Sequence, residues 1–308
     1  MKRIKDIGEQ GLIEKFSAGF KPAGHTVAGI GDDAAVIDMP GQNKLTLFTC
    51  DTMVAGVHFA KNEKNWYRIG QKAVGQAISD IAAMSGTPVS AVISLAVPKN
   101  AKVKHINQFV RGANAMACRC GIDIVGGDTV DSRGPAVISV AVIGTVEKGR
   151  LARRTGARAG DKIMVTGSLG GSREGKQYKF LPRIREARWL TGHGRISAMI
   201  DISDGLVIDL YRLVSASKTG ALLYQEKIPV SRAAKKLPNA LLRALGDGED
   251  FELLAVSSDS EGLIRKWPDK KVPLTVIGEI TRDRGKVFLI DKGGAKRKVP
   301  CYGYEHFK

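Results

Sequence analysis

The sequence predicts an α+β protein, on three observations. Short apolar runs bounded by turn residues recur in both halves of the chain. Three longer segments instead repeat apolar residues at helical spacing. The two kinds mix in each half without the regular βα alternation of a doubly wound sheet. A length of 308 residues, 43% hydrophobic and 26% charged, is globular composition that excludes a disordered chain. At roughly 150 residues per domain, two domains are expected. The 36 glycines follow no three-residue period, so collagen-like structure is excluded.

In the first half, strands are expected at 46–49, 90–97, 122–125 and 137–146, with helices at 66–85 and 102–120. In the second half, strands are expected at 162–166, 197–202, 252–256, 274–280 and 286–290, with a helix at 204–217. Between them the turn-rich run 156–161 puts a boundary near 147–160, giving domains 1–148 and 149–308. Residues 168–194 are basic, Gly-rich and weakly periodic, which predicts a long mobile loop.

Forty-eight Lys and Arg against 31 Asp and Glu leave a formal charge of +17. Such an excess fits polyanionic partners or a diffuse basic surface that favours solubility, and charge alone does not choose. Aromatic content of 6% and the lack of a Lys/Arg run count against nucleic acid. Cys50, Cys118, Cys120 and Cys301 form no CxxC pair and read as reduced thiols. The longest apolar stretch, 136–146, is about half the ~20 residues of a membrane span. The N-terminal run carries Asp6, Glu9 and Glu14 and lacks the apolar core of a secretory signal. A soluble cytoplasmic protein is expected.

The chemistry lies in the placement of the acids. Asp32 and Asp33 stand in GIGDDAAV, Asp51 in LFTCD, Asp80 in AISDIAAM and Asp128 in IVGGDTV. Asp201 and Asp204 stand in MIDISDGL, and Glu249 and Asp250 in GDGEDFELL. Each sits where an apolar segment meets a turn or a helix start, where a scaffold presents side chains to a ligand. Singly, each reads first as a structural turn residue or an N-cap. Gathered, they would repel one another without cations, and hard carboxylate oxygens suit several Mg²⁺ ions bridged by a polyphosphate. Gly29-x-Gly31 and Gly126-Gly127 would let backbone amides approach phosphate oxygens. The run from Gly170 to Lys176 fits seven positions of a P-loop, but Gln177 replaces the Ser or Thr that would hold Mg²⁺. The five histidines have no metal-ligand spacing, and His58 reads by default as a core or turn residue.

These segments together resemble the thiamine-monophosphate kinases, within the superfamily of aminoimidazole ribonucleotide synthetase, selenophosphate synthetase and hydrogenase maturation protein E. The resemblance runs from IGEQGLIEKF through GIGDDAAV, TCDTMVAGVHF, ISDIAAMSGTP, VGGDTV, RRTGARAGD, AMIDISDGL and GDGEDFELL to GYEHF. It implies an aminoimidazole ribonucleotide synthetase-like fold, with N-terminal domains pairing into a β-barrel across a homodimer. It also implies direct, Mg²⁺-assisted transfer of a phosphoryl group from ATP to thiamine monophosphate. Metal positions implied are Asp32, Asp33, Thr49, Cys50, Asp51, Asp80, Asp128, Asp201 and Asp204. Implied ATP contacts are Gly127, Asp128, Arg154 and Ser203, with Asp51, Asp128, Arg154 and Asp204 central to catalysis. Substrate contacts fall on His58, Glu249 and an aromatic of the last motif, Tyr304 in preference to Phe307. Here Thr49-Cys50-Asp51 stands where the family has Ser/Thr-Thr-Asp, and a thiol is a poor Mg²⁺ ligand, so only the Cys50 carbonyl would serve. Another ATP-dependent synthetase or maturation enzyme of the superfamily is the alternative, and a basic nucleic-acid-binding protein a more distant one.

Overall fold

A computed structural model describes residues 3–20 and 24–307. The first half contributes helix α1 (Gly8–Gly19), strands β1 (Thr26–Ala28), β2 (Ala35–Ile37) and β3 (Lys44–Val54), and helix α2 (Trp66–Ala83). Strand β4 (Thr87–Val97), helix α3 (Val103–Cys120), and strands β5 (Asp123–Asp131) and β6 (Val137–Glu147) follow. The six strands form one mixed sheet in the order β1-β2-β3-β6-β4-β5, in which only β4 and β5 run parallel.

Period-two alternation decides which residues face the helices. Along β3, Leu45, Leu47, Thr49 and Met53 are buried, whereas Phe48 and Cys50 are exposed on the opposite face. Helix α2 is buried almost all round. It crosses α3 so closely that a Cβ on Gly70 would lie 2.1 Å from the Phe109 carbonyl oxygen, and one on Gly112 only 1.8 Å from that of Tyr67. Ile69, Ile78, Ile81 and Met84 pack with Leu47, Ile138 and Val142 into the first core.

The second half contributes β7 (Lys162–Thr166), α4 (Ile184–His193), β8 (Ile196–Ile202), α5 (Leu206–Ala216), β9 (Gly220–Tyr224) and α6 (Ala240–Gly246). After these come β10 (Glu252–Ser257), α7 (Ser260–Lys266), β11 (Leu274–Thr281), β12 (Val287–Ile290) and β13 (Lys296–Val299). Their sheet has seven strands, ordered β13-β12-β9-β11-β7-β10-β8. Its core gathers Ile163, Val165, Ile200, Leu210, Leu254 and Ile277. A third cluster joins Ala83 at the end of α2 to Met164, Leu190, Met199 and Leu253 of the second half. The architecture is thus the expected α+β, with mixed sheets.

One expectation needs correction. Residues 168–194 are not a mobile loop: they form 3₁₀ turns at Ser172–Glu174 and Lys176–Tyr178 and then α4, with Ser172, Gln177 and Leu190 buried. Long-range bonds impose this order, since Asp250 accepts from the Gly170 amide and the Ser172 hydroxyl, and Arg183 makes a paired ionic contact with Glu252. Those bonds also dispose of the P-loop. The Gly170 and Gly171 amides already donate to Asp250 and Asp247, and the Lys176 ammonium pairs with Glu252 at 2.9 Å. Among the described residues the first sheet is open, with β5 at one edge and no closed barrel. No described helix is long and apolar enough to cross a membrane.

Candidate active site

The acids converge from four segments. The GDD turn delivers Asp33, β3 delivers Thr49 and Asp51 on its inward face, α2 delivers Asp80, and the end of β8 delivers Asp201. Asp33, Asp80 and Asp201 each place a carboxylate oxygen within 4.8 Å of the others. Thr49 Oγ1 donates to Asp80 at 2.6 Å and Ser79 Oγ to Asp201 at 2.6 Å. Burial, then mutual repulsion, raises the pKa of Asp80 and Asp201 well above the ordinary carboxylate value. Asp51 is pushed up to about 6 by burial and by Asp204. One oxygen of Asp33 accepts from Arg154 Nη2 at 2.7 Å, while the other is buried without a hydrogen-bond partner. Three clustered carboxylates, one with an orphaned oxygen, are the hard-oxygen donor set that Mg²⁺ takes.

A cleft of about 760 Å³ lies beside this pit, and Asp51, whose charge acts on Asp80, is part of its lining. Asp51, Ser203 and Asp204 line it, as do His58, Glu249, Tyr304 and His306, and the Tyr304 amide donates to the Asp204 carbonyl at 2.9 Å. Asp209 fixes the turn carrying Asp204. Its Oδ2 accepts from the amides of Ser203, Asp204 and Gly205 at 3.0–3.1 Å, and Arg212 bridges Asp204 and Asp209.

Glu249 reaches the cleft from a loop in unusual backbone conformation. Gly248, Glu249 and Phe251 all have positive φ, at 73°, 55° and 49°. Such values are unfavourable for non-glycine residues and persist only where surrounding contacts impose them. Here the Glu249 and Phe251 amides donate to the Ser203 and Ile202 carbonyls, and the Phe251 ring stacks on Phe180 at 4.2 Å. The Glu249 carboxylate pairs with the fully buried Lys72. Burial, with the nearby charges of His306 and Lys72, lowers the His58 pKa to about 4. The Val54 amide donates to His58 Nδ1, so the neutral ring carries its proton on Nε2.

Other expected residues lie elsewhere. Asp32 is occupied structurally, one oxygen accepting from Arg153 Nε and the other from the Arg154 amide. The Cys50 sulfur stands on the sheet face opposite Thr49 and Asp51, because strand alternation sends it there. Phe307 is half exposed and does not line the cleft, whereas His306 beside it does. Gly127 and Asp128 lie on the exposed edge strand β5. Gly127 aligns with Ile93, Ile93 with Val140, and Val140 with Asp51, so three strand spacings, about 14 Å along the sheet, separate this pair from Asp51. Gly127 has a packing role too, since a Cβ there would lie 1.8 Å from the Ile93 carbonyl oxygen.

Sequence reading missed Lys72, Gln76, Asp209, Arg212, Gln177, Tyr178 and His306. A signal existed for the first two. Lys72, Gln76 and Asp80 are polar residues at four-residue spacing, a line along one face of a helix buried almost all round.

Residues 31–146 match the family described as AIR synthase related protein, N-terminal domain, and residues 171–291 match its C-terminal domain. The thiamine-monophosphate kinase of Rhodopirellula baltica is 37% identical over 288 residues, covering 90% of each chain. That of Bacillus subtilis is 32% identical, covering 91% of this chain and 93% of its own. Among solved structures, AaThiL complexed with AMPPCP and TMP superposes with a TM-score of 0.86 at 29% identity, over 99% of both chains. The thiamine-monophosphate kinase of Stenotrophomonas maltophilia K279a gives a TM-score of 0.73 at 30% identity, over 92% of this chain and 96% of its own. A HypE–HypF complex, at 21% identity and a TM-score of 0.75, shares the fold. With its acid pit, its cleft and its full-length similarity, the chain belongs to the thiamine-monophosphate kinase family.

Proposed function

We propose that this chain transfers the γ-phosphoryl group of ATP to thiamine monophosphate, giving thiamine diphosphate and ADP. The observation that carries this reading is a cleft lined by Asp51, Asp204, His58, Glu249 and Tyr304, beside the clustered carboxylates of Asp33, Asp80 and Asp201. Asp33, Asp80 and Asp201 would hold Mg²⁺, with Asp51 and Asp204 at the mouth of the pit. Bound there, Mg²⁺ neutralises phosphate charge. A phosphate oxygen of the substrate attacks the γ-phosphorus, and the bond from that phosphorus to the β–γ bridging oxygen breaks. Positioning and charge neutralisation serve such a transfer, and no covalent enzyme intermediate is required.

In the cleft, neutral His58 would present Nε2–H without adding positive charge beside a cationic thiazolium. Glu249 supplies an acceptor, and the Tyr304 and His306 rings, 4.9 Å apart, offer flat surfaces for the substrate rings. Arg154, paired with Asp33 at 2.7 Å, would clamp a phosphate brought to the acids.

The reading includes a homodimer. Phe48, Val92 and Ile143 are exposed on the outer face of the first sheet, where a second copy would cover them and close a barrel. Gly127 and Asp128, remote from the pit within one chain, then belong to a nucleotide and metal site completed by pairing. We also read the chain as two domains, 1–148 and 149–308, acting in the cytoplasm, where ATP is available and cysteines outside disulfides stay reduced.

Purified protein with Mg²⁺, ATP and thiamine monophosphate should yield thiamine diphosphate and ADP in equal amounts. Absence of turnover across a range of Mg²⁺ concentrations, with turnover on another phosphate acceptor, would transfer the chain to a different activity of the superfamily.

A further inference from the structure

Lys72 stands in the middle of α2, wholly buried, among Ile69, Ala73 and Val74. A lysine is rarely buried so completely unless its charge is paired and its donors are satisfied. Its ammonium meets three acceptors from three segments distant in sequence. Nζ donates to the His58 carbonyl at 3.1 Å, to Gln177 Oε1 at 2.7 Å and to Glu249 Oε1. The Tyr178 ring lies 5.5 Å from Nζ. An ammonium has three N–H donors, so none remains for a ligand.

All three partners line the cleft. His58 comes from the loop after β3, Gln177 from the 3₁₀ turn before α4, and Glu249 from the loop before β10. The first belongs to one half of the chain and the other two to the second half. We infer that Lys72 is a positioning residue for the substrate end of the cleft, holding His58 and Glu249 at a fixed separation and so setting affinity for thiamine monophosphate. This inference rests on the kinase reading above. It assigns Lys72 no contact with the substrate and no part in the phosphoryl transfer itself. One Glu249 oxygen is taken by Lys72, which leaves the other to face the substrate in a single orientation.

The test is a double-mutant cycle on the full-length protein, reading Kd for thiamine monophosphate and for a non-hydrolysable ATP analogue. Lys72→Met keeps most of the unbranched side chain and removes its charge and donors. It is expected to weaken thiamine monophosphate binding about tenfold or more, and to change binding of the ATP analogue less than about twofold. Glu249→Gln alone should also weaken thiamine monophosphate binding. In the double variant the loss should fall well short of the product of the two single losses, because Lys72 acts largely through Glu249. Multiplicative losses, or equal losses for both ligands, would overturn the inference in favour of a general structural role. Should Lys72→Met not fold, Gln177→Leu removes one of the same three bonds and should weaken thiamine monophosphate selectively. An unchanged Kd in that variant overturns the inference. Wild-type protein that turns over thiamine monophosphate, with Lys72→Met unaffected, overturns the inference alone. Wild-type protein that binds no thiamine monophosphate overturns the kinase reading and this inference with it.

Discussion

Arg154 donates to one oxygen of Asp33 at 2.7 Å, while the second Asp33 oxygen is buried and unpartnered. A buried acceptor left open costs stability unless something fills it. Mg²⁺ should therefore raise the melting temperature of the wild-type protein, and ATP with Mg²⁺ should raise it further by mass action. In Asp33→Asn the rise with Mg²⁺ alone should shrink or vanish. An equal rise in both proteins would remove Asp33 from the metal site.

Repulsion within the pit gives a second prediction. Asp80 faces Asp51, Asp201 and Asp33, and accepts from the Thr49 hydroxyl. Asp80→Asn keeps that acceptor and removes one charge. Turnover should fall about 10²-fold or more, while the ligand-free protein melts higher, by about 2–4 °C for each kcal/mol of relieved repulsion. A lower melting temperature would contradict the view that these acids strain the ligand-free fold.

His58 gives the fold a pH dependence whose sign is definite. Unfolded, its imidazole takes a proton near pH 6.5; folded, it resists protonation down to about 4. The unfolded state binds more protons in that window, so the neutral ring's contribution is complete above 6.5 and is lost as pH falls toward 4. His58→Asn keeps an acceptor near the Nδ1 position and has no titration there. Melting curves from pH 7 to 4 should descend less steeply for the variant. Parallel curves would show that His58 titrates normally.

The α2–α3 crossing depends on glycine. A Cβ on Gly112 would sit 1.8 Å from the Tyr67 carbonyl oxygen, and backbone cannot move aside as a side-chain tip can. Gly112→Ala should destabilise by about 1–3 kcal/mol, as overpacking does, and chemical denaturation will measure it. Because α2 carries both Lys72 and Asp80, activity should fall with stability.

Cys50→Ser should leave kcat within about twofold of wild type, since a conservative change away from the acids has no mechanism for a larger effect. The sulfur projects from the face opposite Thr49 and Asp51. A large loss in this variant would place the thiol at the metal after all.

Some of this was legible in order along the chain. The long strands β3, β4 and β6 and the helices α2, α3 and α5 announce themselves by periodicity, and Asp33, Asp51, Asp80, Asp201 and Asp204 by their place at element ends. The strands β1, β2 and β13 show no period of their own, and pairing with a neighbour defines them. The stretch before α4 lacked any local pattern because Asp250 and Glu252, 80 and 69 residues beyond their partners Gly170 and Arg183, hold it.

The sequence by itself determined the fold class, the family motifs and the acidic character of the site, because propensity, alternation and turn chemistry act between near neighbours. Only the tertiary structure decided which acids meet. It gathered Asp33, Asp80 and Asp201, turned Asp32 to Arg153, left Asp128 on an exposed edge and buried Lys72 between His58 and Glu249. Those outcomes depend on strand register and on helix crossing, where one residue's shift reverses a face, and no local spacing in the chain records them.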